Sequence, residues 1–225
     1  MKRILLNILL FVLTSLLVIF FWKIRTDASN YAWNPKGKEL LMLDIALTSI
    51  FIYKTLFWLF VANLAVFAMI QLKRKKHKIA GSTFLATIVF YIFVGMYVDK
   101  KCAPFYYNVF LNQSVMEEYI TRPILEAGYY IGPILTKEIT NREIKYRRYA
   151  INGLGEIKYK PATETLKQIL FDRTEFDYFR ADAYETLHGF NTKETKTILR
   201  DFRNQAVDTL DKKVIELGDS FIKNK

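Results

Sequence analysis

Residues 4–22 form a run of nineteen residues without a charge, broken only by Asn7, Thr14 and Ser15 among polar side chains. About 20 such residues cross the ~30 Å hydrocarbon core of a bilayer as a helix. Met1-Lys2-Arg3 would suit the basic start of a cleaved leader. The apolar core is longer than the usual ~7–15 residues, however, and no A-x-A-like cleavage site follows it. The run therefore reads as an uncleaved membrane helix. Residues 45–72 and 79–98 form two further spans, the first interrupted by Lys54 and Asn63, the second with Gly81 and Gly95 near its ends. Backbone polar groups in lipid must pair within their own segment, so all three should be helices. The second span exceeds one bilayer: either it tilts, or residues 39–53 lie at the interface and the crossing starts near Ile50.

Lys54 and Asn63 are the candidate intramembrane polar contacts. A lysine at mid-membrane costs ~2.5–3.5 kcal/mol and often marks an ion path or a subunit contact. The alternative is snorkelling, in which four methylenes carry the ammonium toward the surface. Asp44 is ten residues away, about 15 Å along a helix, too far to be a partner. A buried Lys54 would therefore take its counter-charge from another chain. Lys73, Arg74, Lys75, Lys76 and Lys78, with His77 among them, make up the connection between spans two and three, and Lys2 and Arg3 precede span one. The positive-inside rule places both segments in the cytoplasm, against lipid headgroups, and puts whatever follows span three outside. Trp22, Trp33, Tyr91 and Tyr97 are available as interfacial anchors.

After Cys102 the long apolar runs end. Residues 103–113 (APFYYNVFLNQ) read as an aromatic linker, and Ser114 with Glu117 reads as a capping box that opens a helical domain over 114–225. Gly and Pro punctuate the domain at short intervals, and no run alternates with period two. Arg147, Ala150 and Leu154 form an R-x-x-A-x-x-x-L pattern that Arg180, Ala183 and Leu187 repeat 33 residues later. The following helix recurs as well: 166–172 (LKQILFD) is similar to 195–201 (TKTILRD). Arg203, Ala206 and Leu210 match the first pattern again after only 23 residues, by chance or as a terminal cap. At these residues the domain resembles a HEAT repeat array, especially the short type related to phycobilisome lyase repeats. Residues 147–157 are similar to that family's first helix, 161–170 to its second, and 132–139 to a degenerate earlier second helix. His188 departs from the pattern, standing where the first copy has Gly155. The resemblance implies a binding scaffold of stacked helical hairpins; the lyase activity of some relatives does not follow from packing residues. The expected fold class is thus all-α, three membrane helices followed by a small α-solenoid.

No residue pattern announces chemistry. Gly153-Leu-Gly155 lacks the third glycine of a dinucleotide loop, and phosphate-loop, HExxH and GxSxG motifs are absent. One cysteine excludes an internal disulfide and a cysteine zinc cage. Cys102 is read as an unreactive or lipid-facing thiol, with acylation as the alternative, and His188 as a helix-end residue. No catalytic, cofactor or metal set is assigned. The net charge of +11 first suggests nucleic acid. Residues 104–225, however, hold 19 Lys+Arg against 18 Asp+Glu, while residues 1–103 hold 14 against 4. The basicity belongs to the membrane half, where it orients the chain and meets lipid, so nucleic acid is not expected as a partner. The resulting expectation is a non-enzymatic, membrane-anchored scaffold subunit of a bacterial inner-membrane complex. Its partners would be other subunits, a second copy among them. An oligomeric transporter or channel with Lys54 on an ion path is the alternative.

Overall fold

A computed structural model describes residues 2–206 and 208–223. The side chains of Lys2 and Arg3, assigned above to the cytoplasmic end of span one, lie outside the described residues. The described residues are all-helical apart from one isolated parallel bridge, Ala32 with Ser114. They form two compact units, residues 1–115 and 116–225.

The first unit contains α1 (Lys2–Arg25), α2 (Gly37–Lys73) and α3 (His77–Asn112). All three are long and apolar enough to cross a membrane. In lipid a hydroxyl has no water to bond, and Thr14, Thr83 and Thr87 donate to the carbonyls of Leu10, Ile79 and Thr83 one turn earlier, at 2.8–2.9 Å. α2 and α3 pack together through a ring cluster: Phe60 and Phe90 have centroids 4.3 Å apart, and Phe57 lies against Phe90 and Tyr91. Gly95 makes the approach possible, because a Cβ there would stand 3.2 Å from the Phe57 ring. Lys75 and Lys76 donate back to Leu72 and Gln71 at 2.9 and 3.0 Å, closing α2 with Lys75 left-handed (φ 58°) and reversing the chain into α3.

α2 and α3 both outrun the expected spans. At ~1.5 Å per residue each is about 55 Å long, against ~30 Å of hydrocarbon. The linker expected at 103–113 is instead the last turns of α3, which hold Pro104 within the helix. The helix persists there because Cys102, Ala103, Tyr106, Val109 and Phe110 form a buried stripe. The matching stripe on α2 is Leu43, Ala46, Leu47 and Ile50, and Tyr53 stacks on Phe105. Ser114 is not a helix cap: its N–H donates to Tyr31 at 2.9 Å and its carbonyl accepts from Trp33 at 2.8 Å, tying the 31–33 loop to the end of α3.

The second unit runs α4 (Arg122–Ala127), α5 (Gly132–Glu138), α6 (Arg147–Glu156), α7 (Thr163–Phe171), α8 (Asp177–Phe190), α9 (Lys193–Gln205) and α10 (Thr209–Lys223). α8 is central and packs against α6, α7, α9 and α10. Nine of its fourteen residues are buried, so its polar residues must find partners inside the unit. Ala150, Ala183, Leu154 and Leu187 have no exposed surface, as their spacing predicted. Arg203, Ala206 and Leu210 do not repeat the pattern. Arg203 sits in the last turn of α9, Ala206 ends that helix, and Leu210 is exposed on α10. α10 shows the same spacing instead, with Asp211, Val214 and Gly218 buried at i, i+3 and i+7.

Two glycines separate packing from propensity. A Cβ at Gly218 would lie 2.5 Å from the Tyr184 ring, whereas at Gly189 it would meet nothing within 4 Å. Gly218→Val should destabilise the second unit by ~1–3 kcal/mol through overpacking. Gly189→Ala should stabilise it by up to ~1 kcal/mol through helix propensity. Hydrogen exchange of α8 in the detergent-solubilised full chain checks both.

Candidate functional site

Two constellations join residues far apart in sequence, one in each unit. In the first unit Lys54 of α2 forms an ion pair with Asp99 of α3, and its ammonium lies 5.9 Å from the Trp22 ring centroid. The counter-charge expected from another chain is thus supplied by this one. Asp44 was excluded correctly, but Asp99, one residue past the third apolar run, could be paired with Lys54 only after α2 and α3 were aligned. Lys54 is 19 residues before Lys73 and Asp99 is 22 after His77, so the pair stands roughly 28–33 Å from the basic turn, one hydrocarbon thickness. Asn63 donates to Ser15 of α1 at 3.2 Å and to the Leu59 carbonyl at 2.7 Å, a polar contact between helices. Cys102 has no exposed surface and so is not lipid-facing. Lys73, Arg74, Lys75 and Lys78 are exposed at and around the opposite turn, as is Lys76.

In the second unit the repeat arginines are interior. Arg147 is 4% exposed and Arg180 1%. Each guanidinium does the same three things. Arg147 Nε donates to the Ile139 carbonyl that ends α5 at 2.7 Å, and Arg180 Nε to the Leu170 carbonyl in the last turn of α7 at 2.9 Å. Each then pairs with a carboxylate: Arg147 with Glu175 at 2.6 Å, Arg180 with Asp211. Each lies over a ring, Phe179 at 5.0 Å and Phe202 at 5.6 Å. A planar fork with five donors caps a helix end and binds a carboxylate at once in a fixed geometry, where a lysine would be a rotating point charge. The 33-residue period reaches the backbone too: Lys158 and Asn191, 33 apart, are both left-handed, with φ 52° and 50°. This explains why His188 in place of Gly155 does no harm. The turn depends on position 191, where Asn is tolerated, and His188 is exposed beside it.

Asp182 is a buried, strongly perturbed carboxylate that the sequence reading did not single out. It has no exposed surface, accepts from Arg148 at 3.1 and 3.2 Å and from Asn152 at 3.4 Å, and its carboxyl is pushed up to about 6. Burial is the main cause; Arg148 and Asn152 pull the other way, and nearby Glu185 adds to the rise. By contrast, Arg180 and Arg173 hold Asp211 below the usual carboxylate range against the opposing effect of its burial. Among the described residues no group of three or more His, Cys, Asp or Glu is placed to hold a metal ion. An open groove of about 670 Å³ runs between α7 and α9, with Glu164, Lys167, Lys193, Glu194 and Asp201 on its walls. No family model matches the chain, and no curated protein or solved structure matches it significantly.

Three outcomes follow from the paired charges. Arg180→Leu leaves the Leu170 carbonyl unpaired and Asp211 with Arg173 alone, and should cost ~1–3 kcal/mol, read as lost exchange protection in α8 and α10. In the first unit Lys54→Met removes the bond that ties α2 to α3 and should lower the melting temperature of the full chain, while Asp99→Asn, at a carboxylate 42% exposed, should lower it less. Asp182 binds its proton more tightly folded than unfolded. Its protonated form therefore favours folding, and stability should fall as pH rises from about 4 through 6 by ~2–3 kcal/mol. In Asp182→Asn, exchange protection of α6 and α8 should lose this slope.

Proposed function

We propose that the chain is a membrane-anchored scaffold subunit of a bacterial inner-membrane complex, and that its second unit is a HEAT-type helical repeat stack that docks a protein partner. The observation that carries this reading is the duplicated role of Arg147 and Arg180, each closing one helix and bonding the next element of the stack. Such residues maintain a solenoid; they leave its outer surface free for recognition. The walls of the α7–α9 groove carry both signs of charge, which suits a polar protein surface better than a phosphate backbone. The internal Lys54–Asp99 pair favours the scaffold over a channel that would need Lys54 on an ion path.

In this reading the 73–78 turn and the start of α1 face the cytoplasm, and the second unit, which follows the far end of α3, is extracytoplasmic. A buried Cys102 cannot report this by labelling. With Cys102→Ala as background, Lys212→Cys, exposed on α10 and away from the groove, should react with an impermeant maleimide on intact cells and Lys75→Cys only after permeabilisation. The reverse pattern would invert the topology. Affinity purification of the full chain from native membranes in mild detergent should bring down a stoichiometric membrane partner. That partner should be lost when charges are reversed at Lys167 and Lys193 on the groove. A monodisperse monomer carrying nothing would sink the scaffold reading.

A further inference from the structure

The basic end of the first unit has an unusual charge balance. No Asp or Glu occurs in residues 1–26 or in residues 45–98. Lys73 and Arg74 therefore have no carboxylate near them on α1, on the adjacent two-thirds of α2 or on the first half of α3. The nearest acid on these helices' common side is Asp99, at the other end of the bundle and already paired with Lys54. Beside these two cations an apolar groove of about 660 Å³ opens between α1 and α2. Its walls are Leu6, Leu9 and Leu13 on α1 and Met69 on α2, each at least half exposed, with buried Ile70 beneath them. Lys73 and Arg74 stand at its mouth. The volume falls within the ~300–1,000 Å³ typical of small-molecule sites. Its long apolar wall and cationic end match an amphiphile with one anionic head, and no wholly polar ligand would use the leucines.

We propose that this groove binds an acidic phospholipid, with an acyl chain along the α1–α2 cleft and the phosphate between Lys73 and Arg74. The proposal rests on the reading that α1–α3 span a membrane. The positive-inside pattern attracts anionic lipid diffusely; the groove turns that attraction into a site with a defined chain position. Asn7, on the wall of the same groove, supplies an amide near the level of the headgroup.

The test is native mass spectrometry of the delipidated full chain titrated with phosphatidylglycerol or phosphatidylcholine. Phosphatidylglycerol should bind at least tenfold more tightly. Lys73→Gln with Arg74→Gln should erase that preference and leave phosphatidylcholine binding unchanged. Leu9→Trp, which fills the cleft at an exposed position, should weaken both lipids. Lys76→Gln with Lys78→Gln removes the same charge outside the groove and should change phosphatidylglycerol binding less than twofold. Equal affinity for the two lipids overturns the proposal, as does an equal loss in the two charge variants or displacement of the lipid by millimolar inorganic phosphate. Carbonate extraction of native membranes separates the two levels: release of the chain sinks the membrane reading itself, while retention without lipid preference sinks only the groove.

Discussion

The Lys54–Asp99 pair sets the depth scale of the first unit. Between that pair and the 73–78 turn lie about 30 Å of helix with no carboxylate, the thickness of one hydrocarbon core. Inside this interval the side chains do what lipid demands. Hydroxyls bond back to their own helix, rings pack on Gly95, and Asn63 finds Ser15. Beyond the pair the rules change: α2 and α3 become amphipathic, burying Leu43, Ala46, Leu47 and Ile50 on one side and Tyr106, Val109 and Phe110 on the other. The ion pair joins α2 to α3 near the point where these stripes begin and holds the two helices in register.

The second unit also places charges where apolar residues would be expected, for a different reason. A unit built of short helices is full of helix ends, and each end leaves carbonyls that must be paired. Arg147 and Arg180 solve this with one side chain per repeat, bonding a terminal carbonyl and then a carboxylate further along. The chain of arginines stops at α10, which has Asp211 at the equivalent position. An acid in the first turn of a helix is favoured by the dipole and completes the last arginine's pairing.

How much of this was legible depended on the range of each interaction. The three spans, the helical class and the 33-residue recurrence are periodic along the chain, and period is what a sequence displays. That Arg147 and Arg180 would be buried was less visible, because their partners Glu175 and Asp211 stand at different distances, 28 and 31 residues away. The extension of α3 through 103–113 was obscured by Pro104 and by charged Lys100 and Lys101, although the 102, 106, 109 spacing of buried residues was present in the letters. Asp99 and Asp182 were invisible as partners: one pairs across 45 residues and the other across 34. Only the folded helix register brings such groups together.

The same bookkeeping decides where recognition can occur. Arg147, Arg180, Asp182, Asp211 and Lys54 are all engaged within the chain, and a side chain that holds a helix end cannot also be spent on a partner without unfolding its own surroundings. The groups still available are those the fold leaves at its margins: the mixed charges along the α7–α9 groove and the cations of the 73–78 turn. The first surface carries both signs and the second only one. A protein can complement the first, since it can present both signs in return. The second calls for an anion that arrives with its own apolar body, because leucines line the groove beside Lys73 and Arg74.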